Sequence, residues 1–337
     1  MTGEPFNRVA ILGSGGMGTA LAILFAGHAR SVALWARDPE LAEQMRQLRE
    51  NPRHLPGLPV PAEVVISAHA EQILREADLI VVAIPSSFLR SSLGTLAALV
   101  PAGVPLLSVI KGLEASSFRW PSDVLTEQLG SRPLSVLSGP SHAEEIARGL
   151  PASVVVAGPD AHLNARIQAA LNHGRFRVYT NTDRPGVEMS GALKNIMGIA
   201  AGICDGLGFG DNAKAALLTR GLVEMTRFVV AQGGEAATLL GLAGVGDLIT
   251  TCYSPFGRNR AVGVRIGRGE PLTQILASMT NVAEGVSTAL GVHNVATQNH
   301  IDMPICSSVY SILYENKPPL AALSDLMLRP PKPESVA

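Results

Sequence analysis

Six residues near the N-terminus, Gly13-Ser14-Gly15-Gly16-Met17-Gly18, restrict what this chain can fold into more than any other segment. They follow the apolar run Arg8-Val9-Ala10-Ile11-Leu12 and lead into Thr19-Ala20-Leu21-Ala22, which reads as the opening of a helix. A strand, a glycine turn and a helix in that order make the first unit of a doubly wound α/β sheet. Gly13 would make the tight turn, Gly15 would let backbone approach a pyrophosphate, and Gly18 would allow close packing of helix on sheet. The helix N-terminus adds amides that favour an anion. In that setting the G-x-G-x-x-G spacing points to a bound dinucleotide, with Ser14, Gly16 and Met17 completing the loop.

The alternation continues downstream. Strands are expected at Arg8-Leu12, Ser31-Trp35, Val64-Ser67, Leu79-Ile84, Pro105-Ile110, Leu134-Leu137, Ser153-Ala157 and Phe176-Thr180, separated by helical patterns. The fourth, Leu79-Ile80-Val81-Val82-Ala83-Ile84, is apolar throughout and should be central and buried on both faces, ended by Pro85. From Pro185 strand-like runs nearly vanish and Ala/Leu/Gly-rich helical spacing takes over. With 337 residues the chain exceeds the usual single domain, so two are expected: 1–183, holding the dinucleotide, and 184–337, all-helical, holding the substrate and the catalytic group. The last few residues, around Pro330-Pro331-Lys332-Pro333, are expected to be disordered.

Charge and cysteine usage exclude several classes. A net charge of −1 with scattered Lys and Arg offers no basic stripe to draw nucleic acid. Cys204, Cys252 and Cys306 are far apart and odd in number, which suits reduced thiols and neither a disulfide framework nor a metal site. Without a signal-peptide pattern or a clean apolar span, the expectation is a cytoplasmic protein not inserted in a membrane. The Ala/Leu-rich helical half could support a homodimer.

Two positions suggest chemistry. The second strand ends Leu34-Trp35-Ala36-Arg37-Asp38, where the acid expected to bind a ribose hydroxyl is replaced. Arg37 offers a cation for a 2′-phosphate, so NADP(H) is expected, with NAD(H) as the alternative, while Asp38 suits a helix N-cap. Farther on, Gly191-Ala192-Leu193-Lys194-Asn195 sets one lysine in a small, apolar segment. Burial disfavours an ammonium and suits a lysine to proton exchange near neutral pH, which makes Lys194 the leading catalytic candidate.

Several clusters remain: Asn51 through Pro56-Gly57, Ile110-Lys111-Gly112-Leu113, Ser138-Gly139-Pro140-Ser141, the Lys194 segment, Ala243-Gly244-Val245-Gly246-Asp247-Leu248 and Gly257-Arg258-Asn259-Arg260. In order and approximate spacing the chain resembles the NAD(P)-dependent glycerol-3-phosphate dehydrogenases of the bacterial type, over almost its whole length. The resemblance implies a Rossmann-like N-terminal domain and an all-α substrate domain. It implies reversible reduction of dihydroxyacetone phosphate to sn-glycerol 3-phosphate, the backbone precursor of glycerophospholipids. Carried over by motif, Lys194 exchanges the proton, while Lys111, Asn195, Asp247, Gly257, Arg258 and Asn259 line the substrate site beside Gly139 and Ser141. Lys111, Ala143, Arg258, Val282 and Glu284 match positions that touch the cofactor.

The chemistry agrees. Reducing a ketone needs a hydride at carbon and a proton at oxygen, so an acid must reach the developing alkoxide. Asn195 and Asp247 are expected to orient the lysine and a substrate hydroxyl, with Lys111 as a second cation. Gly257-Arg258-Asn259-Arg260 should open a helix and gather amides and an arginine fork on a phosphate, although Arg260 could equally form a surface ion pair. His142 is expected to pack or touch cofactor, and Ser141 with Glu144 lacks the turn of a hydrolase nucleophile. Two other readings remain: a hydroxy-acid dehydrogenase of the same two-domain design, and a catalytically silent NADP(H) sensor.

Overall fold

The computed structural model describes residues 4–114, 116–279, 282–331 and 333–334. Part of the tail expected to be disordered, Lys332 and residues 335–337, lies outside them. The chain divides into two compact units. One holds the described residues up to Ile110 together with Trp120–Val187, and the other holds Lys111–Arg119 and the described residues from Glu188 onward.

The first unit is built on an eight-stranded sheet. Its strands are β1 (Arg8–Leu12), β2 (Ser31–Trp35), β5 (Val64–Ser67), β6 (Leu79–Val82), β7 (Leu106–Ser108), β8 (Leu134–Ser138), β9 (Ala152–Ala157) and β10 (Phe176–Asn181). The order β10-β9-β8-β7-β6-β1-β2-β5 reverses between β1 and β6, as in a Rossmann-like fold. All neighbours run parallel except β8 and β9, which pair antiparallel with Val136 opposite Ala157. Side chains alternate along each strand, so Val9 and Ile11 join Phe25 and Leu34 in one core layer while Ala10 and Leu12 join Ile73, Ile80 and Leu93 in the other.

β6 lies in the middle and every one of its residues is buried. It stops at Val82, two residues before the expected end, because Ala83 and Ile84 turn toward the glycine loop and Pro85 opens the next helix, Ser86–Leu96. β7 is likewise shorter than expected, while β8, β9 and β10 each gain a residue. A short hairpin of β3 (Glu50–Asn51) and β4 (Leu55–Pro59) is the addition. The prolines at 56 and 59 conceal it in the sequence, since proline is tolerated only where its missing donor is not needed.

The second unit is helical. Its longest elements are Asp211–Ala231 and the part of the 23-residue Arg184–Gly206 helix beyond Val187. That helix meets Arg258–Gly267 through glycines. A side chain at Gly202 would collide with the Arg260 carbonyl, and one at Gly263 with the Ile199 carbonyl, so the two backbones approach as closely as small residues allow. Lys111–Arg119 belongs here although it lies in sequence between β7 and β8: Leu113 and Phe118 pack over Gly291 of the Glu284–Gln298 helix.

One run, Ala236–Tyr253, is long and apolar enough by length and composition to cross a membrane, where no clean apolar span was expected. In the fold it is broken into Ala236–Leu239, a wide π-type turn at Leu242–Gly246, and Asp247–Tyr253. The break places a carboxylate at the start of the last piece.

Candidate active site

In the sheet-bearing unit, the glycine loop has the geometry its spacing foretells. Gly13 lies at φ +113°, where a side chain would come within 2.7 Å of the Ala83 carbonyl oxygen. A side chain at Gly18 would collide with the Gly13 carbonyl, which explains the last glycine. Gly15 is different, because a Cβ there would meet nothing within 4 Å. Its smallness leaves an open face over the N-terminus of the Gly16–Phe25 helix, a cradle fitted to a pyrophosphate.

Asn51 fixes that loop from the hairpin. Fully buried, it donates from Nδ2 to the Ser14 carbonyl at 2.7 Å and to Thr19 Oγ1 at 2.8 Å, and accepts from the His54 amide through Oδ1. The sequence showed Asn51 only as part of a family pattern. Its structural task needed a contact 37 residues away in the chain. Gly16 faces Ala143, whose Cβ would lie 3.3 Å from a Cβ on the glycine, so these two positions come together. Met17 packs against the core and is half-buried.

Arg37 is exposed just past β2, its guanidinium 5.7 Å from the Phe88 ring centroid, and Asp38 caps the Pro39–Leu48 helix. Gly139 lies at φ +122°, and Ser141 donates its hydroxyl to the Gly139 carbonyl at 2.8 Å. The Ser141 hydroxyl is therefore engaged in its own turn. His142 is the N-cap residue of the Ala143–Ala147 helix.

The helical unit gathers the other candidates. Asp247, only 2% exposed, stands between two ammonium groups: Lys194 Nζ donates to Oδ1 at 3.0 Å and Lys111 Nζ to Oδ2 at 2.7 Å. Lys194 also donates to Thr251 Oγ1 at 2.6 Å. Asp247 and Thr251 are one turn apart on one helix face, so a single helix supplies both partners. Thr251 went unnoticed in the sequence, though its i, i+4 relation to Asp247 is the signal that could have found it.

Burial alone would raise the Asp247 carboxyl, but the two neighbouring cations outweigh it and hold the group below its ordinary value. Lys111 is moved down to about 8, first by burial and then by the charge of Lys194, against the pull of Asp247 and Glu284. Asn195 does not orient Lys194 as expected. Its Nδ2 donates to the Lys111 carbonyl at 2.8 Å, so it holds the neighbouring lysine's backbone instead.

The Gly-Arg-Asn-Arg segment does open a helix, Arg258–Gly267, with Gly257 as N-cap. A Cβ at Gly257 would lie 3.1 Å from the Thr251 carbonyl oxygen, which accounts for glycine at this cap. Arg258 is exposed and donates to the Val282 carbonyl at 3.0 Å, while Asn259 Oδ1 accepts from the Gly285 amide at 2.9 Å beside Glu284. Arg260 leaves the group. It pairs with Asp205 at 2.7 Å, a carboxylate shared with Lys214, so the ion-pair alternative holds for this arginine.

Residues 8–164 match the NAD-dependent glycerol-3-phosphate dehydrogenase N-terminus family and residues 183–324 the corresponding C-terminus family. A glycerol-3-phosphate dehydrogenase (NAD(P)+) of Chlorobium phaeobacteroides is 44% identical over 330 residues, covering 97% of this chain and 99% of its own. One from Thiobacillus denitrificans is 46% identical over 323 residues, covering 96% and 98%. Among solved structures, the glycerol-3-phosphate dehydrogenase of Coxiella burnetii superposes with a TM-score of 0.92 at 37% identity, covering 96% of this chain and 99% of its own.

Proposed function

This chain belongs to the NAD-dependent glycerol-3-phosphate dehydrogenase family, and on that premise we propose that it reversibly reduces dihydroxyacetone phosphate to sn-glycerol 3-phosphate with NAD(P)H, Lys194 exchanging the proton at the substrate oxygen. The observation that carries the reading is the buried carboxylate of Asp247 shared by Lys194 and Lys111.

When bound, NAD(P)H would supply the hydride, two electrons and a hydrogen nucleus, that the carbonyl carbon needs. The Gly13–Gly18 loop, held by Asn51, would seat the cofactor's pyrophosphate, with Ala143 against Gly16. Negative charge developing on the carbonyl oxygen is met by the Lys194 ammonium, which then gives up its proton to complete the alcohol. Asp247 and Thr251 fix Lys194 Nζ from two sides, so its position is set before substrate arrives. In the reverse direction neutral Lys194 removes the hydroxyl proton.

The phosphate monoester needs fixed positive charge, which Arg258 and Lys111 supply in this reading, with Asn259 and the amides opening the Arg258–Gly267 helix. Asn195 acts by holding the backbone that carries Lys111. Gly139 and Ser141 shape a turn in the sheet-bearing unit. Arg37, exposed beyond β2, is proposed to read the 2′-phosphate of NADP(H).

The deciding experiment follows NADPH absorbance with dihydroxyacetone phosphate in one cuvette and unphosphorylated dihydroxyacetone in another, repeated with NADH. Turnover confined to the phosphorylated ketone supports the reading. Silence with both ketones moves the assignment to a hydroxy-acid substrate or a cofactor sensor. Lys194→Met should lower kcat by about 10²–10⁴-fold while NADPH still binds, and a mutant with near-normal kcat would remove this lysine from its role.

A further inference from the structure

The helical unit contains a cavity of about 400 Å³ that the reaction does not use. Four helices wall it: Ile203 from Arg184–Gly206, Leu217 and Val223 from Asp211–Ala231, Ile312 from Pro304–Tyr314, and Leu323 from Pro319–Met327. The volume lies within the ~300–1,000 Å³ of small-molecule sites, and a gap between bundle helices is a common place for one. None of its lining residues belongs to the Lys111–Asp247–Lys194 cluster.

Charge is confined to a few positions. Arg220, Arg227 and Arg329 line the cavity, and Arg227 and Arg329 meet at Asp302, which Arg329 reaches at 3.1 Å. Arg220 is half-buried and has no hydrogen bond or ion pair among the described residues. The one acidic side chain in the wall, Glu224, is 3% exposed and directs its carboxylate at the Ile305 and Cys306 amides. Along the Asp211–Ala231 helix Arg220 stands midway between Arg227 and Ala213, and from Arg220 to Ala213 the wall is apolar for about two turns or ~10 Å.

We propose that this cavity binds an aliphatic carboxylate, with the acyl chain along the apolar wall and the anionic head on Arg220. An apolar wall that begins at an arginine without an anion, among the described residues, matches such an amphiphile in polarity and charge. A second copy of the chain seated here would have to supply an anion to Arg220, and it is the competing occupant that the test separates.

The test is calorimetric titration of the full chain with laurate below its micelle concentration, with acetate and dodecanol as comparators. Saturable binding of laurate is expected, with acetate silent and dodecanol weaker. Arg220→Glu should weaken laurate by about tenfold or more, the loss of one charge-assisted contact. Val223→Trp should fill the slot and abolish binding, while both variants keep normal turnover of dihydroxyacetone phosphate. No saturable binding to the wild-type chain, or equal binding by Arg220→Glu, overturns the proposal. So does light scattering that shows a dimer lost in Val223→Trp while laurate leaves the wild-type chain unaffected, which would make the cavity wall a surface between copies.

Discussion

At the scale of single residues, the centre of the site is a carboxylate whose two oxygens serve different lysines. Asp247→Asn would leave two ammonium groups together without their counter-charge, so we expect kcat to fall by about 10²-fold or more, measured against unchanged NADPH affinity. The lowered Lys111 sets a pH limit. Below about 8 it is charged and, in the proposed role, attracts the substrate phosphate, and above that value it loses the proton, so kcat/KM for dihydroxyacetone phosphate should decline as pH rises through 8. Lys111→Arg should carry that decline to higher pH, and a profile that does not move would exonerate the lysine. Arg37→Asp should shift preference from NADPH toward NADH, read as the ratio of the two kcat/KM values. The sequence marked Lys194, Lys111 and Asp247 as candidates because motifs record residue type and spacing, and in the fold both lysines meet the aspartate. It did not disclose that Asn195 serves Lys111, or that Arg260 serves Asp205, since side-chain partners depend on how helices distant in sequence are turned toward one another.

Among the elements, the glycine contact of the Arg184–Gly206 and Arg258–Gly267 helices does most to place the site, because Lys194 lies on one and Arg258 and Asn259 open the other. Alanine ordinarily improves a helix by about 1 kcal/mol over glycine. At Gly263 the sign reverses, since the added methyl meets the Ile199 carbonyl. Gly263→Ala should therefore cost about 1–3 kcal/mol in chemical denaturation and raise KM for the phosphorylated substrate, whereas Gly269→Ala, which meets no neighbour but sits at φ +88°, should cost stability without touching KM. Strands were the more readable elements, because β-branched runs such as Leu79–Val82 have no other use in a parallel sheet. The antiparallel entry of β9 and the hairpin that carries Asn51 were not readable. Strand direction is decided by the connection, and a proline-rich strand lacks the alternation that announces one.

For the molecule as a whole, stability should depend on pH through Glu224. Burial raises its carboxyl from 4.5 to about 7, against the two amides that pull it down. The folded chain then keeps a proton that the unfolded chain releases between those values, so this contribution is complete below pH 4.5 and lost as pH rises through 7. At 1.36 kcal/mol per pH unit the loss is about 3 kcal/mol, and Glu224→Gln should flatten the fall of Tm over that interval. The sequence indicated the fold class, a sheet-bearing N-terminal part followed by a helical one, and the elements follow that order. It could not show that Lys111–Arg119 leaves the first to join the second, since nothing local marks nine residues whose partners lie beyond Glu188. That detour has a consequence for synthesis. Leu113 and Phe118 leave the ribosome long before Gly291, the residue they cover, has been translated, so two apolar side chains must wait in solution for their partner. The lysine beside them acquires its carboxylate only when Asp247 has been made, so the ion pair at the heart of the candidate site forms late in synthesis.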